Sequence, residues 1–180
     1  MKDQIITNKI LNWYDINKRS LPWRKKTSSK KKQYYTLVSE FMLQQTQVVT
    51  VIPYFNRFIK SIPDLETLAS YENRKLIKLW EGLGYYSRAR NLHFSAKNIS
   101  KNLHGEFPKT LDEILKLKGV GVYTAAAIAS FAYDLPHAVV DGNVYRVLSR
   151  YFGIETPIDS TEGKKEFSIL ANVLLKKNKA

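Results

Sequence analysis

Apolar residues recur every three to four positions along almost the whole chain, and the two-residue alternation of half-buried strands is essentially missing. That period supports helices and leaves a sheet without a core-facing side, so the fold class is all-α. Ile6, Ile10, Leu11 and Tyr14 make one face of a first helix that stops near Ser20-Leu21-Pro22. The basic, polar stretch 25–32 reads as a loop. A helix over about 35–46 turns Leu37, Val38, Phe41 and Met42 inward, and others cover 48–59, 65–70, 76–83 and 87–100. Segments 111–117 and 123–133 flank a tight Gly-Val-Gly turn, and 144–152 and 163–175 complete the set. There is no internal repeat, and 180 residues suffice for one domain or two small lobes.

Composition removes several kinds of chemistry. The chain has no cysteine, which excludes disulfides, thiolate metal sites and cysteine nucleophiles, and makes a reducing cytoplasm the simplest location. No window approaches about 18 uninterrupted apolar residues, and the first residues lack a secretory layout, so no membrane is expected. A net charge of +13 favours a polyanionic partner. Lys outnumbers Arg 21 to 8, as an AT-rich genome alone would arrange, so charge by itself does not decide for nucleic acid.

The most specific local pattern is the run from Leu115 to Ile128, in which Gly119-Val120-Gly121 joins two helices and Thr124 is followed by small residues. Such a turn leaves backbone N–H groups bare at a helix start, where unsatisfied donors and the positive dipole end coincide to seat a phosphate. Taken alone, a Gly-x-Gly is as readily a plain helix–helix turn packed by alanines. The full string resembles the helix–hairpin–helix of the DNA glycosylase superfamily. Further segments resemble its MutY-type adenine DNA glycosylases, in the family's order: Leu21-Pro22-Trp23-Arg24, Val38 through Val48, Val51 through Phe55, Trp80 through Leu92, and Val139 through Val144. The resemblance runs from about residue 12 to 180. It implies a two-lobed fold, with a six-helix barrel over 20–135 containing the hairpin at about 111–133. The second lobe is built from 1–19 plus 136–180 and carries the catalytic aspartate.

The resemblance also implies hydrolysis of the N-glycosidic bond of adenine mispaired with 8-oxoguanine or guanine. That reaction needs an acid for the leaving base and an anion for the oxocarbenium-like sugar. Glu40, in an apolar helix beside Leu37 and Phe41, is implied as the acid, although an isolated helix glutamate ordinarily faces solvent. Asp141 is implied as the anion, and its position ahead of a helix equally suits an N-cap, with Asn143 orienting it or the attacking water. Tyr123 stands where endonuclease III-like relatives place a Schiff-base lysine, which implies a monofunctional enzyme with little lyase activity. Leu21, Trp23, Arg24 and Leu43, with Arg19, resemble the adenine pocket, while Gln45, Tyr85 and Gln44 resemble the residues that fill the gap left by a flipped base. Gly119, Val120, Gly121 and Thr124 would hold phosphate, with a monovalent cation on the carbonyls of Leu115, Leu117 and Val120.

In the family an iron–sulfur cluster on four cysteines and a guanine-inspecting domain follow at the point where this sequence stops, so truncation is expected and a cluster only in a longer product. The expected partner is duplex DNA holding an A:8-oxoguanine or A:G mispair, bound by a monomer in a bacterial cytoplasm. Two alternatives stay open: an endonuclease III-like glycosylase/lyase, and a non-catalytic DNA-binding remnant.

Overall fold

The computed structural model describes residues 2–175, and every regular element among them is helical. The polar tail 176–180 lies outside the described residues. Ten α-helices follow in order: α1 (Lys2–Asn17), α2 (Ser29–Leu43), α3 (Val48–Ser61), α4 (Leu65–Ser70), α5 (Asn73–Trp80), α6 (Ser87–Asn102), α7 (Leu111–Leu115), α8 (Val122–Tyr133), α9 (Gly142–Phe152) and α10 (Thr161–Leu174). A single 3-10 turn, Pro22–Arg24, lies between α1 and α2.

Helix α2 is the hub, packing on α3, α6, α8 and the 3-10 turn. It buries Leu37, Val38, Phe41 and Met42 among aromatic rings from its neighbours, including Phe55, Phe58 and Trp80. Phe55 sits edge-on to both Trp23 (5.3 Å) and Tyr35 (5.5 Å), and Phe58 meets Trp80 in the same way at 6.1 Å. This large core takes its buried residues from Leu21 to Ala132. A second, smaller core comprises Leu148, Phe167 and Ala171, with Tyr145 edge-on to Phe167 at 5.0 Å. Helix α1 reaches α10, where the Thr7 hydroxyl donates to the Leu174 carbonyl at 3.0 Å.

Both ends of α2, the span of α5 (Asn73–Trp80 against the expected 76–83) and the covering of α1 differ from expectation. Helix α2 starts at Ser29, so Lys30, Lys31 and Lys32 are helical rather than part of a loop. Lysine is a good helix former, and from the helix Lys32 meets the Asp134 carboxylate at 2.9 Å. The same helix ends at Leu43 instead of continuing to Thr46, because Gln45 turns left-handed (φ +56°). On α1 only part of the expected apolar face is covered: Ile6 is buried, while Ile10 is 51% and Tyr14 40% exposed. Beside that helix an open groove of about 370 Å³ runs between Ile10, Leu11, Val139, Val147 and Leu174.

Candidate active site

The hairpin is built from local rules. Thr110 caps α7 by accepting from the Glu113 N–H, and the Glu113 carboxylate in turn accepts from the Thr110 N–H at 3.1 Å. Gly119 then takes φ +82°, with Asn91 packed so close that a Cβ would stand 2.6 Å from its Nδ2. Gly121 is extended, faces open space and begins α8 without any side-chain cap. The first N–H groups of α8 are thus left to an outside acceptor. Gln44 ties this hairpin to the end of α2, its Nε2 donating to the Gly119 carbonyl (3.2 Å) and the Thr124 hydroxyl (3.4 Å).

A cleft of about 1280 Å³ opens beside the hairpin. Its walls carry Glu40, Asp141, Tyr123, Asn143, Arg19, Leu21, Trp23, Arg24, Leu43, Gln44, Gln45, Tyr85 and Thr124, so those expected site residues share one cavity. Gly119, Val120 and Gly121 lie outside its lining, as do Leu115 and Leu117. The Leu117 carbonyl accepts the Val120 N–H at 3.1 Å within the turn. Leu21 and Trp23 serve two structures at once, buried in the large core and lining the cleft.

Glu40 is only 8% exposed, the result of its place on the inner face of α2 between Leu37 and Phe41. Burial disfavours the carboxylate and pushes its pKa up to about 7, against the pull of the nearby Arg24 charge. Asp141 is held by hydrogen bonds instead. As N-cap of α9 it accepts from the Asn143 and Val144 N–H groups at 2.9 and 2.8 Å, and from Asn143 Nδ2 at 3.3 Å. Three donors at the helix N-terminus fix where this carboxylate points. Tyr123 feels both groups: burial first, then the negative charges of Glu40 and Asp141, raise its phenol pKa. Two carboxyls therefore face one cleft in contrasting environments, one buried among apolar side chains with its pKa raised and the other held by three donors at a helix N-terminus.

Residues 38–172 match the HhH-GPD superfamily, described as base excision DNA repair proteins. The chain belongs to that family. It is 48% identical over 146 residues to an adenine DNA glycosylase of Buchnera aphidicola subsp. Baizongia pistaciae, covering 81% of this chain and 40% of that protein. The human adenine DNA glycosylase is 43% identical over 171 residues, covering 92% and 31%. The chain thus spans less than half the length of these relatives. Among solved structures, a thermostable thymine-DNA glycosylase superposes with a TM-score of 0.87 at 27% identity, covering 99% of this chain and 80% of that one. A trapped endonuclease III–DNA covalent intermediate shares the fold (TM-score 0.77, 21% identity, 98% and 79% covered). The iron–sulfur cluster that resemblance brings to mind finds no donor set here, since the sequence contains no thiolate.

Several members of this HhH-GPD site carry no signal along the sequence. Phe131 lies under the Arg24 guanidinium at 5.4 Å, and the Tyr14 hydroxyl accepts from Arg24 Nη1 at 3.2 Å, bringing α1 and α8 to one pocket residue. Lys25, Lys26 and Lys32 add positive charge to the same wall. Arg88, buried beneath the cleft, is the largest omission from the expected site. Gln45 and Tyr85 both adopt positive φ (+56° and +46°), a conformation that costs a non-glycine residue on the order of 1–3 kcal/mol and gathers at functional sites.

Proposed function

We propose that this chain is a monofunctional adenine DNA glycosylase of base excision repair, acting on adenine opposite 8-oxoguanine or guanine in duplex DNA. The observation that carries the reading is the pair of carboxyls in one cleft, a buried Glu40 held near pH 7 and an Asp141 held by three donors. In that reading Glu40 gives its proton to N7 of the extruded adenine as the N-glycosidic bond breaks. Asp141 stabilises the positive charge that develops on the sugar, and water adds at C1′ as its proton is lost. Asn143 holds Asp141 in place. Tyr123 supplies no amine, so a Schiff-base step has no nucleophile at this position and the reaction stays hydrolytic.

DNA contact divides between parts. The uncapped start of α8, with Gly119, Val120, Gly121 and Thr124, takes a phosphate, and the Leu115, Leu117 and Val120 carbonyls take a monovalent cation. Gln44, Gln45 and Tyr85 fill the vacated stack, while Arg19, Leu21, Trp23, Arg24 and Leu43 receive the base. The large core forms one lobe over 20–135; α1 with residues 136–175 forms the other. No described helix is long and apolar enough to cross a membrane, and we place the chain, as a monomer, in the cytoplasm.

Single-turnover excision on a duplex with adenine opposite 8-oxoguanine, comparing the chain with Glu40→Gln, tests the assignment. Alkali-sensitive cleavage by the unaltered chain alone is expected. Equal cleavage by both overturns the role given to Glu40, and so does loss of DNA binding together with excision. A second reading, DNA binding without base release, is favoured by the apolar surface left open along α1. Salt-sensitive binding without any cleavage would select it.

A further inference from the structure

Arg88 lies near the start of α6, in a run, Ser87-Arg88-Ala89-Arg90, that looks suited to solvent. It is instead 5% exposed, and its two terminal nitrogens donate mostly to main chain, while Nε is buried without a partner. Nη1 donates to the carbonyls of Phe41 (3.3 Å), Met42 (2.7 Å) and Gln44, and to the Thr46 hydroxyl at 3.0 Å. Nη2 donates to the carbonyls of Leu83 (3.1 Å) and Gly84 (3.2 Å). None of these partners is a carboxylate. The charge is met by carbonyl dipoles, among them carbonyls at the C-terminal end of α2 that have no partner within the helix, and by the faces of Trp80 and Tyr85 at 5.7 and 5.4 Å.

The two sets of carbonyls belong to different segments. One is the last turn of α2 with the loop after it, which carries Gln45; the other is the loop that precedes α6 and carries Tyr85. Both side chains are exposed on the cleft and both backbones are left-handed, so neither loop is at rest by its own preference. A planar fork with fixed donor directions can hold two loops in one relation, whereas a single ammonium cannot reach both with the same geometry.

We propose that Arg88 is a positioning residue: its fork locks the Gln45 and Tyr85 loops together, so that both side chains are set for insertion before DNA arrives. This rests on the reading that these two residues enter the duplex. Contact with undamaged duplex, through the hairpin and the basic wall, does not depend on the lock. Extrusion of the base does, because it requires both loops in register at once.

The test is Arg88→Lys, with Thr46→Val as a milder change that removes one acceptor and leaves the guanidinium intact. In the free protein, hydrogen exchange at residues 44–46 and 83–85 should quicken about tenfold or more in Arg88→Lys, and less in Thr46→Val, while amides of α3 and α4 hold. On DNA, affinity for undamaged duplex should stay within about twofold, while single-turnover excision at saturating enzyme falls on the order of 10- to 100-fold. Exchange that rises equally throughout the large core, or affinity that falls in step with excision, would reduce Arg88 to a general structural role and overturn the proposal. Unchanged exchange in both loops would overturn it as well. If the unaltered chain released no base, the assigned activity would fail, and loop exchange in the free protein would still judge Arg88.

Discussion

Glu40→Gln should make the folded chain more stable at alkaline pH while removing its chemistry. The carboxyl and the amide have nearly the same shape, so packing against Leu37 and Phe41 is kept and only the ionisable proton goes. In the folded chain the Glu40 pKa stands at about 7, against an ordinary 4.5 when unfolded. The folded state therefore binds more protons between those values, and the stability owed to this group is largest in acid and lost as pH rises through the window. Ionising Glu40 inside the fold rather than outside it costs roughly 3 kcal/mol. Between about pH 5 and pH 8.5 the unaltered chain should thus lose roughly 2–3 kcal/mol relative to the variant. At about 2–4 °C per kcal/mol for a chain this long, the gap between their melting temperatures should widen by roughly 4–12 °C. Comparing the two chains by thermal unfolding across that range isolates this group, because every other titration is common to both. Excision by the unaltered chain should fall as pH rises through about 7, where the acid form is depleted. Melting temperatures that run parallel across the range would show Glu40 titrating as an ordinary surface carboxyl, and the argument for a stored proton would collapse.

Asp141→Asn keeps a side chain able to cap α9, so its melting midpoint should move by no more than the equivalent of about 1 kcal/mol while excision is lost, read by unfolding and single-turnover assay on one preparation. The two hairpin glycines should separate sharply. Gly119→Ala meets Asn91 and a positive φ and should cost about 1 kcal/mol or more, with weaker DNA binding, whereas Gly121→Ala should unfold within about 0.5 kcal/mol of the unaltered chain. Phe167→Ala, emptying the centre of the small core, should cost about 3–5 kcal/mol locally, seen as rapid hydrogen exchange over 142–174 with α2 and α6 still protected.

Much of this architecture was legible because its helices are amphipathic in the ordinary way. Helix α4 falls where apolar spacing puts it, and burial of Glu40 follows from its neighbours at 37, 38, 41 and 42. Both ends of α2 were misjudged for tertiary reasons. Lys32 is helical opposite Asp134, about a hundred residues away, and the helix stops where Arg88 takes its carbonyls. Arg88 itself could not be read from a run that looks solvent-exposed, since the partners that bury it include carbonyls more than forty positions earlier. Phe131 is likewise an ordinary helix residue until Arg24 lies over it.

The two carboxyls rest on unequal foundations. Glu40 hangs from a helix embedded in the large core, along with the loops of Gln45 and Tyr85 and the hairpin; Asp141 begins a helix anchored by Leu148, Phe167 and Ala171. Warming should therefore release the anion before it releases the grip on DNA. Under the proposed function, a chain in that state would hold DNA and shield it without releasing a base, competing with intact copies some degrees below its melting point.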